Sequence, residues 1–383
     1  MLLLVLAIAR KPDGFFNPQF WAEDAVLFHA EAEEVGSASL IRPALGYFHT
    51  IQRVVAWLTA RMIDALYQPA AYNYAAMLAS LLVLSPMATK RWTGPPAWAL
   101  GAMTILATQA GEIIFNLTNV QWLTSLFIVI CAVMQPPVSR AGLLLESGAL
   151  LLVGLTGPFV VALLPLGFLR WWQYGKRALP GVIALAVAAA IQGWAIWRAG
   201  GGESARPELM QHSWTEILSV RLFAQTFLPA SFWPASTWGL ILFGAVVSGV
   251  IACAAFYPGP RRYLRVIFLL AAISIQLAVC VRMNGGRDQL LGLPNGPRYF
   301  YDARVLIAWL LMVVLLTPKL PRWLRFSVGA GLTGWMTVAV LTFGVAPLPD
   351  LEWEQHAAAV REGRPAEIPV NPVPYLYHYP GRK

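Results

Sequence analysis

Two adjacent acids, Glu23 and Asp24, are the side chains in this chain whose types and position most favour proton-transfer chemistry. They lie within residues 17–36, NPQFWAEDAVLFHAEAEEVG, directly after a short apolar N-terminus. Ionisable groups close to a bilayer are costly, and those that occur there are usually functional. Because aromatic residues flank this pair beside an apolar run, we favour a functional pair over a solvated surface.

The segment around this pair is predicted to be a helix that lies in the membrane interface. Asn17 is a good N-cap, Pro18 suits the first turn, and Gly36 suits the end of the helix. An apolar stripe on one face is typical of interfacial helices. Its members are Trp21, Phe28, Ala32 and Val35, whereas Glu31, Glu33 and Glu34 are predicted to form a solvated face.

Composition indicates an integral membrane protein. Of the 383 residues, 58% are hydrophobic and 12% are charged, whereas soluble domains carry about 25% charged residues. The net charge of +9 comes from short basic clusters between apolar runs, so it does not indicate nucleic acid. The cysteines lie in apolar segments and match no metal or disulfide spacing; they are Cys131, Cys253 and Cys280.

Repeated apolar runs near the length of a bilayer crossing predict an all-α polytopic bundle of about ten to thirteen transmembrane helices. One membrane domain, 1–345, is expected, followed by a C-terminal tail, 346–383. The first run, Met1–Ala9, is too short to cross alone, so either a few residues are expected upstream of it or the helix continues through Arg10 and Lys11 into the interface. The remaining predicted spans are 46–67, 70–89, 95–114, 118–135, 142–169, 179–199, 236–257, 264–282, 301–317 and 324–345.

Basic clusters predict the orientation, since loops rich in Lys and Arg stay in the cytoplasm. Three clusters, Arg170–Arg177, Arg261–Arg265 and Lys319–Arg325, are separated by pairs of spans. The hydrophilic loops 10–45, 200–235 and 283–300 and the tail are then external, which in a bacterial inner membrane means periplasmic. One conflict remains, because two spans after the acidic segment would place Lys90 and Arg91 outside.

A second polar cluster occurs at a junction between apolar runs. Amides, a carboxylate and an indole are the groups that bind sugars, and irregular backbone at membrane depth must face protein or water. Hydrogen bonding between helices is the alternative explanation. The residues are Glu112, Asn116, Asn119, Gln121 and Trp122.

Basic side chains near the external loops could hold a phosphate. Arg298, followed by Tyr299, enters a span from the external side, and its planar fork of donors matches phosphate oxygens; snorkelling to the interface is the alternative. His49 and Arg53 are predicted to face the same cavity. No set of His, Cys and carboxylate residues has the spacing of a metal site, so we expect no tightly bound metal or cofactor, while loose use of a divalent cation by Glu23 and Asp24 stays open.

The strings FWAEDAVLFHAEA, GYFHTIQR and NLTNVQW resemble those of bacterial GT-C glycosyltransferases that use polyprenyl-phosphate sugars in envelope polysaccharide synthesis. The resemblance implies a GT-C-like bundle in which an acid of the first external loop deprotonates the acceptor hydroxyl. In this chain that acid is Asp24, with Glu23 second. It also implies that Arg298 and Tyr299 contact the donor phosphate, and that the amide-rich cluster contacts sugar.

The expected activity is transfer of a sugar from a polyprenyl-phosphate donor to an envelope glycan or glycolipid acceptor. Because one carboxylate suffices for an activated donor, a single inverting displacement is expected, whereas hydrolases usually carry two opposed carboxylates. The expected partners are donor, acceptor and lipid bilayer. A transporter or flippase of lipid-linked sugars is the alternative, and it predicts paired repeats that the sequence lacks. A non-catalytic assembly partner is the third hypothesis.

Overall fold

A computed structural model describes residues 1–108, 111–201, 206–292, 296–318 and 320–381. This part of the chain is mainly helical, as predicted. The helices are α1 Leu2–Arg10, α2 Asp13–Phe16, α3 Ala30–Val35, α4 Thr50–Met62, α5 Gln68–Leu84, α6 Ala97–Leu106, α7 Val120–Val133, α8 Arg140–Gly154, α9 Phe159–Tyr174, α10 Leu179–Arg198, α11 Trp214–Leu218, α12 Gln225–Phe227, α13 Thr237–Phe256, α14 Arg262–Arg282, α15 Gln289–Gly292, α16 Tyr301–Leu315, α17 Arg322–Leu341 and α18 Trp353–Glu362.

Two π-helical turns interrupt this pattern, at Asp24–His29 and at Ser219–Ala224. One small sheet departs from the all-α prediction: strands β1, Ala366–Pro369, and β2, Leu376–Tyr379, form an antiparallel hairpin in the tail. Short 3₁₀ segments complete the connections at Gly36–Ile41, Ala65–Tyr67, Ser85–Ala88, Gly175–Arg177, Pro207–Leu209, Ala230–Phe232, Asn284–Gly286 and Gly296–Phe300.

Five helical stretches are long and apolar enough to cross a bilayer, in agreement with a polytopic membrane protein. They are Ala65–Ala88, Leu179–Arg198, Thr237–Phe256, Arg262–Arg282 and Arg322–Leu341. They correspond to the predicted spans 70–89, 179–199, 236–257, 264–282 and 324–345. The helices at the predicted spans 46–67, 95–114, 118–135, 142–169 and 301–317 are shorter. At 46–67, for example, α4 has 13 residues and is about 20 Å long, less than the roughly 30 Å hydrocarbon core.

The connections gather at two ends of the bundle. The basic end contains Arg91, whose Nε donates to the Gln135 carbonyl at 2.9 Å, and Tyr263, whose hydroxyl donates to the Ala132 carbonyl at 3.3 Å. Arg170 reaches the same place and donates to the Met134 carbonyl at 3.3 Å. Lys319, part of the last basic cluster, lies outside the described residues.

The opposite, acidic end contains the acidic segment. There the Thr50 N–H donates to the Leu155 carbonyl at 3.1 Å, and Arg282 donates to the Leu45 carbonyl at 3.3 Å. The long helix α5 leads from the acidic segment toward Lys90 and Arg91. Arg91 and Arg170 both pair with Glu146, so Arg91 lies at the same end of the bundle as Arg170.

The long apolar run 142–169 is broken between α8 and α9, at the predicted Thr156-Gly157-Pro158. Both helices pack on α10. The buried Gln192 of α10 donates to the carbonyls of Gly154 at 3.2 Å and Gly157 at 3.1 Å. This amide satisfies backbone carbonyls that the end of α8 leaves free, so the two helices form a hairpin that turns at the acidic end.

A separate apolar core joins the tail to the acidic segment. Trp353 packs edge-on against Phe20 with ring centroids 4.8 Å apart, and its indole N–H donates to the Ala65 carbonyl at 2.9 Å. Tyr377 is also buried, whereas Tyr375 is 54% exposed. Trp353 and Tyr377 are thus core residues that hold the tail against the acidic segment.

Candidate active site at the acidic end

The acidic helix begins later than predicted. Asn17 ends α2 instead of capping a longer helix, and regular helical structure starts at Ala22. The tail is the cause: the Asn371 N–H donates to the Phe20 carbonyl at 3.2 Å, and Asn371 forms a β-bridge with Trp21. The end is as predicted, since Gly36 stops α3 with φ of 63°.

Asp24 is completely buried at the start of the first π-helical turn. Its Oδ1 accepts a hydrogen bond of 2.6 Å from the Thr118 hydroxyl, and Oδ2 has no hydrogen-bond partner among the described residues. Single π-helical turns occur often at functional sites, where the extra residue redirects a side chain. One oxygen of the carboxylate is therefore held in place, and the other is free to accept a proton.

Burial raises the pKa of Asp24 to about 7. The Glu23 carboxylate beside it acts in the same direction, while the Thr118 hydroxyl and the backbone N–H groups of Leu117 and Thr118 oppose the rise. A general base works best when its pKa is near the operating pH. At neutral pH, Asp24 is therefore deprotonated in some of the molecules, where it can accept a proton, and protonated in the others.

Lys11 is a member of the site that the sequence did not reveal. Its ammonium is buried and donates to the Gly111 carbonyl at 2.9 Å. Burial lowers the pKa of Lys11, and the nearby carboxylates of Asp13, Glu112 and Asp24 oppose that change. The position directly after α1 beside an acidic loop was the available signal.

Arg298 and Glu112, which were predicted to bind phosphate and sugar respectively, contact each other. Arg298 Nη1 donates to Glu112 Oε2 at 2.9 Å, and Nη2 donates to the Tyr299 hydroxyl at 3.4 Å. Burial raises the pKa of the Glu112 carboxyl, against the effect of Arg298. Burial also disfavours the charged Arg298, but Tyr299 and Glu112 raise the pKa of Arg298 above its usual value.

Aromatic rings lie next to this ion pair. Trp122 packs edge-on against Tyr299 with centroids 5.5 Å apart, and its indole N–H has no partner in the described part of the chain. The Tyr47 hydroxyl lies within the electrostatic influence of Tyr299 and Arg298, and burial raises its pKa to about 12. Ring faces and an unused N–H donor beside charged groups are the features by which proteins bind sugars.

The remaining amides of the predicted sugar-binding cluster serve the protein itself. Asn119 donates through Nδ2 to the Glu112 carbonyl at 3.1 Å, and its N–H donates to Asn116 Oδ1 at 3.2 Å. Gln121 Oε1 accepts from Gln52 Nε2 at 2.8 Å. These bonds shape the connection between α6 and α7 and join α4 to α7, as the alternative explanation of helix-to-helix hydrogen bonding expected.

His49 and Arg53 lie on the other side of the acidic segment. Arg53 donates to Glu31 Oε2 at 2.8 Å and packs over the Phe28 ring at 5.3 Å. Glu31 is therefore paired and does not belong to a solvated face. His49 stacks on Tyr47, and burial together with Arg53 lowers the pKa of His49 to about 3. Neither side chain contacts Arg298.

Within the described residues, no group of three or more His, Cys, Asp or Glu side chains is arranged to hold a metal ion. Comparison of the chain with protein-family models, with curated proteins and with solved structures gives no significant match.

Proposed function

We propose that this protein is an inverting GT-C-type glycosyltransferase of a bacterial inner membrane. Its bundle would cross the bilayer through at least the five long apolar stretches Ala65–Ala88, Leu179–Arg198, Thr237–Phe256, Arg262–Arg282 and Arg322–Leu341, with the acidic end in the periplasm. The substrate classes are a polyprenyl-phosphate-linked sugar as donor and an envelope glycan or glycolipid as acceptor.

The observation that carries this proposal is the state of Asp24. A buried carboxyl with one oxygen held by Thr118, the other without a partner, and a pKa of about 7 suits proton abstraction at neutral pH. Lys11 lies within the electrostatic influence of Asp24, and Arg298 within that of the neighbouring Glu23. These charged groups and the aromatic rings next to Arg298 are the parts that glycosyl transfer needs.

In the proposed reaction, Asp24 Oδ2 takes the proton of the acceptor hydroxyl as that oxygen attacks the anomeric carbon. The bond between this carbon and the phosphate oxygen breaks, and its electron pair leaves with the polyprenyl phosphate. Attack opposite the leaving group inverts the anomeric configuration. Trp122 and Tyr299 would pack against the sugar, and nearby cations would stabilise the developing phosphate charge.

The test is the Asp24→Asn variant in purified protein. Polyprenyl-phosphate hexose donors and extracted envelope glycolipid are supplied, and release of polyprenyl phosphate is measured. We expect a loss of about 10²–10⁴-fold, the usual contribution of a positioned base. Glu34→Gln, an exposed acid of the same helical segment, is the matched control and should keep full activity.

Transfer retained by Asp24→Asn would contradict the catalytic assignment. Movement of the lipid-linked sugar between leaflets by the wild-type protein, with no transfer, would instead favour the transporter alternative.

A further inference from the structure

Two buried arginines, Arg221 and Arg304, lie side by side at the acidic end without an acidic partner. Arg304 is fully buried and Arg221 is 8% exposed. Arg304 donates to the carbonyls of Arg221 and of Thr108 and to the Gln225 amide oxygen. Arg221 donates to the Leu291 carbonyl. Over the described residues, neither forms an ion pair with an Asp or Glu side chain.

Their hydrogen bonding is also incomplete. The Nε atoms of both Arg221 and Arg304 are buried and have no partner in the part of the chain that the structure describes. An unsatisfied buried donor is destabilising, and a charged one more so. Two like charges that share a dry site repel each other unless an anion compensates them.

Arg298, the arginine that the sequence favoured for phosphate binding, differs in this respect. Its positive charge is already balanced by Glu112 at 2.9 Å. Arg221 and Arg304, like the buried Arg10, have only neutral oxygens as hydrogen-bond partners among the described residues, so their positive charges are not paired. A phosphate bound near Arg298 would face the Glu112 carboxylate, whereas one bound at Arg221 would not.

The fold places Arg221 near the same segment as Arg298. Arg221 lies in the second π-helical turn, and its guanidinium donates to the Leu291 carbonyl. At Gly296 a Cβ atom would lie 2.4 Å from the Leu290 carbonyl oxygen and 3.4 Å from Arg221 Nη2. Glycine thus allows the backbone at 296 to lie against the Leu290 carbonyl, which places this backbone within van der Waals distance of the Arg221 guanidinium.

We propose that Arg221, with Arg304 behind it, is a phosphate-binding site that receives the phosphate of a polyprenyl-phosphate ligand. A guanidinium group presents a planar fork of donors that matches phosphate oxygens. Arg221 would supply this fork, and Arg304, whose Nη atoms already donate to protein oxygens, would add its positive charge. The identity of the lipid rests on the proposed function, but the site itself is tested by binding without any transfer.

The test measures binding of polyprenyl phosphate that carries no sugar to the detergent-purified protein. We expect Arg221→Gln and Arg304→Gln to weaken the affinity by at least about tenfold each, because each removes a charged hydrogen bond. Arg265→Gln is the matched control. Arg265 is fully buried at the basic end and donates to the carbonyls of Ala254 and Tyr257, both at 2.7 Å.

The Arg221→Lys variant keeps the positive charge but loses the planar guanidinium donors. It replaces the glutamine variant in the test if that variant does not fold. We expect a several-fold weaker affinity with an unchanged melting temperature. Competition by inorganic phosphate would identify the headgroup as the element that is bound, whereas competition only by polyprenol would overturn the proposal. Affinity unchanged in the folded Arg221 variants, or lowered equally by Arg265→Gln, would also overturn it. Absence of transfer with intact, Arg221-dependent binding would contradict only the proposed function.

Discussion

The two ends of the bundle each bury a carboxylate, and they treat it in opposite ways. At the basic end, Glu146 Oε1 accepts from Arg170 Nη1 at 2.8 Å, and Oε2 is paired with Arg91. At the acidic end, Asp24 has one bond from a neutral hydroxyl and one oxygen without a partner among the described residues. Both oxygens of Glu146 are paired with arginines, whereas Asp24 keeps one oxygen without a partner in the described part of the chain.

Both carboxylates are buried, so burial alone does not distinguish an acid that stabilises the fold from one that can transfer protons. Their bonding partners make this distinction. The Glu146 carboxylate of α8 is bonded to Arg170 of α9 and to Arg91 of the loop after α5, so it joins these three elements. A buried carboxylate without a cation bonded to it is stable mainly when protonated. The comparison predicts opposite stability changes when each acid is replaced by its amide.

The largest stability effect is expected from Glu146→Gln. The substitution leaves Arg91 and Arg170 without their shared counter-charge, and removing one partner of a buried ion pair typically costs about 3–5 kcal/mol. Thermal unfolding in detergent should show a large fall in melting temperature, while transfer per folded molecule stays unchanged. An unchanged melting temperature would mean that this carboxylate does not join the helices of the basic end.

The Asp24→Asn variant should be more stable than the wild-type protein above pH 7. The pKa of Asp24 is about 7 in the folded state and about 3.9 in an unfolded chain. Between these values folding takes up a proton, so wild-type stability falls as pH rises from about 4 to 7 and is level above 7. Above pH 7, the free energy of unfolding of the variant should therefore exceed that of the wild-type protein by on the order of 4 kcal/mol.

Melting temperatures of both proteins at pH 4, 6 and 8 provide the measurement. The two curves should meet near pH 4 and separate toward pH 8, with the variant higher. Parallel curves would show that Asp24 titrates as an ordinary acid, and its role as a base tuned to neutral pH would then fail.

The Thr118→Val variant sharpens the comparison by removing the one bond that stabilises the Asp24 anion from a side chain. In the wild-type protein, the transfer rate should rise about tenfold per pH unit and level off near pH 7, as the base loses its proton. Loss of a hydrogen bond to a charged group costs about 1.5–3 kcal/mol. The pKa of Asp24, and with it the pH at which the transfer rate levels off, should therefore increase by about one to two pH units. Transfer lost at pH 7 should therefore return at pH 9. A rate that stays low at every pH would indicate misplacement of Asp24 instead.

The sequence predicts the class of fold because composition and apolar run length are local properties. The end of α3 at Gly36 and the break between α8 and α9 follow for the same reason, since glycine and proline act on their own neighbours. The start of the acidic helix was wrong because the competing partner, Asn371, is more than 300 residues away in the chain. Capping rules consider only the residues next to a helix end, so they contain no information about a hydrogen bond from Asn371.

The candidate site was predicted in part for a similar reason. Carboxylates and arginines near a membrane stand out by type, so Asp24, Glu112 and Arg298 were singled out. Their partners are ordinary residues that become informative only in three dimensions, such as Thr118 and Lys11. The helix at 46–67 is shorter than predicted, Thr50–Met62, because apolar run length does not reveal where tertiary contacts end a helix.

The smallest effect is expected from Tyr377→Phe in the tail. The Tyr377 hydroxyl lies 2.8 Å from His29 Nδ1, and His29 Nε2 lies 2.8 Å from Gln68 Oε1. Since the amide oxygen can only accept, Nε2 carries the proton and Nδ1 accepts from the tyrosine. Losing this bond should lower stability by about 1 kcal/mol and transfer by less than threefold, because His29 lies more than one helical turn after Asp24. The exposed Tyr375→Phe is the control, and a loss of transfer comparable to that of Asp24→Asn would mean that the tail positions the base directly.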